Sequence, residues 1–181
     1  MAEKRKTVCV NFFAGPGTGK STVSSRVFSD LKTAGVNCEL VTEFAKMMVW
    51  EGNTTALGNQ FYITAHQQYH MKMVAEHVDL IVTDSPLILG CIYGGDALLN
   101  PLIYREFESF DNINIVLSRI KPYNPIGRMQ TASQAVELDS VITNMLDTRG
   151  YPYHTVAGTV DSAGMILGII RYMAPWLLPE H

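Results

Sequence analysis

The residues from Ala14 to Thr22 read AGPGTGKST, and their types suit one task. Gly15, Gly17 and Gly19 allow successive backbone N–H groups to turn toward a common point, which makes an anion-binding nest. Pro16 and Thr18 fill the remaining loop positions. Lys20 supplies one cation, and Ser21 and Thr22 supply hydroxyls. The stretch fits the relaxed Walker A pattern, with Ala14 where the first glycine usually stands. Such a loop binds a nucleotide through its phosphates: Lys20 reaches the β- and γ-phosphates and Ser21 places its hydroxyl on Mg²⁺. ATP and Mg²⁺ are therefore the expected ligands. The competing reading is a Gly-rich turn that happens to precede Lys-Ser. The surrounding elements weigh against it.

Two acidic residues follow apolar runs. Asp84 comes directly after LIVT, the arrangement in which a carboxylate holds a metal shell or accepts a proton. Ser85-Pro86 follows, so a turn or helix-cap Asp is the bland alternative. Glu43 comes directly after LVT. It is placed to act as a general base, or else as a helix-start Glu favoured by the dipole. From Asn112 to Val136 there is no Asp or Glu, yet Arg119, Lys121 and Arg128 are present. A loop with that bias suits the lid of a phosphoryl-transfer site, with Arg119 and Arg128 ranked first because guanidinium binds phosphate bidentately. A solvated surface loop is the alternative. Gln60, Tyr62, His66, Gln67, Gln68, Tyr69 and His70 crowd one stretch. The amides could pair with a planar acceptor and the rings, with Phe61, could stack on it, while a half-exposed polar helix reads equally well. His66 and His70 have a ligand spacing but no acidic partner, so no metal site is assigned there.

These residues need elements that bring them together. Thr7 to Phe13, Asn37 to Thr42, Val78 to Thr83, Ile113 to Ser118 and Tyr153 to Val156 read as short apolar strands. Helices are expected over Lys20 to Ala34 with Gly35 as the cap, Glu43 to Trp50, Leu57 to His77, Ala132 to Asp147 and Ser162 to Met173. Irregular and short helical pieces fill the interval from Asp84 to about Ser109, and residues 119–131 form the lid loop. Near-continuously apolar strands alternating with helices imply a parallel sheet covered on both faces. In such a sheet ligands gather at the carboxyl ends of the strands, so Lys20, Glu43 and Asp84 reach one rim.

Composition bounds the rest. A chain of 181 residues with 47% apolar and 17% charged residues is one globular domain, here residues 1–181. The net charge of −3 argues against a dedicated nucleic-acid coat but leaves room for a local basic groove. Cys9, Cys38 and Cys91 lie far apart without metal or disulfide spacing, as expected of buried thiols in a reducing compartment. The N-terminal apolar run is too short for a signal core or a membrane span, so the expectation is a cytosolic protein with no membrane partner. The C-terminal PWLLPEH either packs back on the sheet or joins two subunits as a homodimer.

With these residues in hand, the chain resembles the P-loop kinases related to nucleoside and nucleotide kinases. It is most similar to small phage-encoded AAA-like P-loop proteins that group with nicotinamide-riboside kinase domains. The resemblance rests on GPGTGKST, VTEFAKMMVWEG, QFYITAHQQ and VTDSPL. It implies a single P-loop NTPase domain, α/β, with a five-stranded parallel sheet in the order 2-3-1-4-5. It implies a base role for Glu43, acceptor contacts from Tyr62, His66 and Gln67 or Gln68, and adenine contacts from Ala157, Gly158 and Thr159. The acid-Arg-Ser signature of deoxynucleoside kinases is here Asp84-Ser85-Pro86, without Arg, so phosphate clamping falls to another residue such as Arg128. Some phage relatives phosphorylate 5-hydroxymethyluracil within DNA, which makes that base, a free nucleoside or nucleotide, and nicotinamide riboside the candidate acceptors. If the chain is phage-encoded, its compartment is the host cytoplasm. An AAA-type ATPase without an acceptor would carry an acid pair after the third strand and a helical lid domain, and the chain has neither sign. A nucleotide-binding scaffold without turnover is the third class.

Overall fold

The computed structural model describes residues 5–94, 96–120, 122–124 and 131–178. Five strands, β1 (Val8–Phe13), β2 (Cys38–Val41), β3 (Leu80–Thr83), β4 (Asp111–Ser118) and β5 (His154–Ala157), form one parallel sheet in the order β2-β3-β1-β4-β5. Parallel neighbours need crossovers, and the helices supply them. They are α1 (Lys20–Thr33), α2 (Phe44–Trp50), α3 (Thr54–Leu57), α4 (Gln60–Ala75), α5 (Gly90–Gly94), α6 (Leu99–Phe107), α7 (Ala132–Arg149) and α8 (Ala163–Met173).

Strand β1 is buried throughout, and its side chains alternate between two cores. Val8, Val10 and Phe12 join Val23, Val27 and Leu31 of α1 and Ile166 and Ile170 of α8. Cys9 and Phe13 join Met71 of α4, Ile103 and Phe107 of α6, and Ile142 and Leu146 of α7. Each buried Leu, Ile or Phe contributes about 1.5–3 kcal/mol. The sheet is thus clamped from both faces, which fixes where the strand ends lie. A polar pair is buried mid-sheet: Asn11 donates from Nδ2 to Asn114 Oδ1 at 3.1 Å, and also to Asn112 Oδ1 at 2.8 Å. Asn11 also sits opposite Asn114 in the ladder. A slip of β1 against β4 would strand these amides, so the pairing helps specify register.

The long helix expected from Leu57 to His77 is α4, which starts only at Gln60 and ends at Ala75, Leu57 belonging to the short α3 before it. Asn59 Oδ1 accepts from the Tyr62 N–H at 3.0 Å and caps α4, while Asn53 Oδ1 caps α3 through the Ala56 N–H. Asn-capping ends the first turn where the apolar period alone runs on. Strand β4 starts earlier than expected, at Asp111, and β5 lies one residue later. The interval after Asp84 holds short pieces, as expected, together with the nine-residue α6. Gly35 has φ 79° just past α1 and closes its C-terminus with the Val36 N–H on the Leu31 carbonyl. Of the C-terminal segment, Leu177 and Leu178 are buried in the α1/α8 core, and Trp176 meets Arg5 at 5.1 Å. That segment packs back on the domain.

Candidate active site

The carboxyl ends of the strands meet at one rim. β1 runs into the Gly-rich loop, β2 ends before Glu43, β3 before Asp84, β4 before Arg119 and β5 before Gly158. Gly17 and Gly19 take φ values of 86° and 112°, the left-handed region that a side chain would resist. α1 then begins at Lys20 with Gly19 as its N-cap and no side-chain cap. Its first amides therefore remain free for an anion, and the helix dipole favours one.

Three of the loop's carbonyls are held by side chains. Lys20 Nζ donates to the Ala14 carbonyl at 2.6 Å, Thr18 Oγ1 to that of Gly15 at 3.0 Å, and Arg119 Nη1 to that of Pro16 at 3.0 Å. The Gly15 N–H donates to Asp139 Oδ1 at 2.5 Å. The nest is therefore smaller than the sequence suggests: the Gly15 amide is directed at Asp139 and not at a phosphate. Gly158 presses on this loop, for a Cβ there would come within 2.4 Å of the Thr18 carbonyl. The turn of Gly158 and Thr159 is thus held beside the cradle by the absence of a side chain.

Ser21 and Asp84 meet across the rim, with Ser21 Oγ donating to Asp84 Oδ2 at 2.5 Å. The other oxygen, Asp84 Oδ1, accepts from the Glu43 N–H at 3.1 Å, so one carboxylate ties the ends of β2 and β3 to the start of α1. A buried carboxylate beside a hydroxyl is an oxygen donor set of the kind Mg²⁺ takes, and these residues fit that ion. Asp84→Asn keeps the hydrogen-bonding shape but removes the charge. It is expected to lower turnover about a hundredfold or more, with partial recovery at high Mg²⁺, as a magnesium titration of rate would read.

Electrostatics follow from burial. Lys20 is held below its ordinary pKa by burial, opposed by the negative charges of Glu43, Asp84 and Asp139. Glu43 is pushed above its ordinary value by burial and by Asp84, opposed by Lys20 and Lys46. Tyr93 is pushed up to about 12 by burial and by Glu43 and Asp139, so its phenol stays protonated.

A cavity of about 710 Å³ opens from the loop. It is lined by Gly17, Lys20, Ser21, Asp84 and Glu43, and also by Lys46, Leu57, Tyr93 and one face of α4. That face carries Gln60, Ile63, Thr64 and Gln67, which share helical spacing. Gln67 is buried at 4% exposure. Its Oε1 accepts from the Phe44 N–H at 3.1 Å, while its Nε2 has no partner among the described residues. Gly90 and Gly94 let α5 approach this face: a Cβ at Gly94 would meet Gln60 Cβ at 2.4 Å.

The other residues expected from sequence are placed differently. His66 stacks on Phe44 at 4.3 Å and meets Tyr62 edge-on, outside the cavity wall. Gln68 donates to Glu106 Oε2 at 3.1 Å and does not line the cavity. They point away because the α4 face that turns inward is the one containing Gln60 and Gln67. Arg119 is no free lid cation. It is bound to Asp139 Oδ2 at 3.0–3.1 Å and to the Pro16 and Ala135 carbonyls. Arg128 and Lys121 lie outside the described residues. Sequence reasoning missed Lys46, Thr64, Tyr93 and Asp139. The stripe of Gln60, Ile63, Thr64 and Gln67 was a usable signal, but Asp139 left none. Among the described residues no group of three or more His, Cys, Asp or Glu side chains is gathered for a metal, and no helix is long and apolar enough to cross a membrane.

Cradle, acidic strand end and strand order together define the P-loop kinase fold. Among solved structures the chain is similar to a deoxyadenosine kinase from M. mycoides with bound dATP. The two share 17% identity at a TM-score of 0.58, over 90% of this chain and 99% of that one. It also aligns with a structure described as APE1195, at 16% identity and TM-score 0.46 over 95% of each chain. A Mycobacterium tuberculosis APS kinase aligns at 16% identity and TM-score 0.42, over 78% of this chain and 99% of that one. No protein-family model and no curated protein sequence matches the chain.

Proposed function

We propose that this protein is an ATP-dependent kinase that transfers the γ-phosphoryl group to a hydroxyl of a nucleoside-type acceptor. One observation carries the reading: a single cavity is lined by the phosphate loop, Ser21, Asp84, Glu43 and the α4 face that includes Gln67, whose buried Nε2 has no partner among the described residues. Donor and acceptor sites thus share one enclosure. A hydrolytic motor needs no such chamber.

The residues divide the work as follows. The amides from Gly17 to Thr22 and the Lys20 ammonium hold the triphosphate, and the turn of Gly158 and Thr159 lies where a base could rest. Ser21 and Asp84 would hold Mg²⁺, which when bound neutralises phosphate charge. Glu43 takes the proton of the acceptor hydroxyl. The acceptor oxygen then forms its bond to the γ-phosphorus as the bond from that phosphorus to the β–γ bridging oxygen breaks, and ADP leaves with the electron pair. Glu43 passes its proton to solvent. Its raised pKa makes it a better base than an exposed carboxylate.

Gln67 restricts the acceptor. Its carbonyl oxygen is held by the Phe44 N–H, and its buried Nε2, without a partner among the described residues, is the group left to donate. An acceptor with a carbonyl oxygen or an unprotonated ring nitrogen satisfies it. Gln67→Glu retains the oxygen for Phe44 and replaces the donor with an oxygen. It is expected to raise the acceptor KM at least about tenfold while the KM for ATP is unchanged, in steady-state kinetics.

The hydroxymethyl group of 5-hydroxymethyluracil in DNA is the particular acceptor that the phage-kinase resemblance suggests. The chamber would take it as a base swung out of its strand. A free nucleoside, a nucleotide or nicotinamide riboside would enter whole. The deciding experiment offers labelled ATP with each of these acceptors in turn. Label transferred one-for-one with ADP formed supports the kinase. ATP loss that is equal without acceptor indicates an ATPase, and no consumption at all indicates a scaffold.

A further inference from the structure

We infer that Asp139 is a positioning residue that keeps the phosphate loop in its anion-binding shape before any nucleotide arrives. This role rests on the cradle of the proposed function and assigns Asp139 no contact with the nucleotide or the acceptor.

An anion nest works only if its N–H groups point inward and its carbonyls point out. In the first half of this loop each carbonyl is held by a cation or hydroxyl: Ala14 by Lys20, Gly15 by Thr18, and Pro16 by Arg119. One N–H in that half, that of Gly15, is turned away from the nest in a buried position, where an unmet donor would be costly. Asp139 Oδ1 meets it at 2.5 Å. The second oxygen, Oδ2, binds Arg119 through Nε at 3.1 Å and Nη2 at 3.0 Å. The same guanidinium then reaches the Pro16 carbonyl. One carboxylate therefore governs both the N–H of Gly15 and, through Arg119, the carbonyl of Pro16.

The backbone is shaped for this contact. A Cβ on Gly15 would lie 2.3 Å from the Ala135 carbonyl and 2.9 Å from Asp139 Oδ1, so α7 sits directly against the loop. Asp139 is also partly accessible, at 27% side-chain exposure, which lowers the worth of the ion pair for folding alone. A loop already held in its binding shape loses less freedom when phosphate docks, and that saving appears as nucleotide affinity.

The test measures ADP binding by calorimetry in the presence of Mg²⁺, alongside the melting temperature of each variant. Asp139→Ala should weaken ADP at least about tenfold. Asp139→Asn keeps an oxygen for Gly15 but loses the charge facing Arg119, and should weaken it by less, about threefold or more. Glu137→Gln, an exposed charge loss on the same helix, should leave affinity within about twofold. In a cycle with Arg119→Met, the double variant should lose less than the sum of the two single losses. A lowered melting temperature with wild-type ADP affinity in Asp139→Ala would overturn the inference. If that variant fails to fold, unchanged affinity in Asp139→Asn would overturn it. Wild-type protein that binds no nucleotide would defeat the proposed function and this role together, whereas wild-type binding with indifferent variants defeats this role alone.

Discussion

Lys20→Met should leave a folded protein whose phosphoryl transfer is at least about a thousandfold slower than wild type. The ammonium lines the cavity beside the glycine loop, and it already reaches the loop through the Ala14 carbonyl. Burial lowers its pKa, yet Glu43, Asp84 and Asp139 counter that shift and favour its charged form. Methionine matches the stem and removes only the charge, so packing is largely retained. The measurement is single-turnover transfer with saturating ATP, with circular dichroism as the check on folding. Retained wild-type turnover would take the cradle out of the mechanism.

Glu43→Gln should slow transfer about a hundred- to ten-thousandfold while nucleotide affinity stays near wild type. The carboxylate lines the cavity between the loop and the acceptor chamber, and its backbone N–H is pinned by Asp84. Its pH dependence follows from the sign of its shift. As the proposed base Glu43 acts deprotonated, and burial raises its pKa, so the wild-type rate should fall as pH drops through a value above the ordinary glutamate range. That acid limb should vanish in Glu43→Gln. A variant that loses ATP affinity and keeps its chemistry would assign Glu43 to nucleotide binding instead of proton transfer.

Much of this arrangement was legible in the sequence because it is local. GPGTGKS sets its own backbone through its glycines, and the apolar runs before Glu43 and Asp84 announce strand tips. Parallel topology then carries all three to one rim without further information. The acceptor wall was less legible. α4 carries exposed Phe61, Tyr69 and Met73 beside buried Ile63, Gln67 and Met71, so its apolar pattern does not show which face turns inward. Tyr62, His66 and Gln68 drew notice by type, but the helix turns them away from the cavity and inward-facing Gln60 and Thr64 line it instead. Asp139 was invisible for a different reason. It lies 124 positions from Gly15, and only the packing of α7 on the loop brings the two together. Arg119 was recognised by its charge, yet that charge is spent on Asp139 and two loop and helix carbonyls.

The central claim is that one enclosure holds a triphosphate at the loop and an acceptor in the chamber. A crystal structure with Mg²⁺ and a non-hydrolysable ATP analogue tests it most directly. The account predicts β- and γ-phosphates on the amides from Gly17 to Thr22, metal density at Ser21 and Asp84, and a γ-phosphate facing Glu43 across an open chamber. Phosphates bound away from the loop, or a nucleotide base filling the space beside Gln67 with the loop empty, would contradict it.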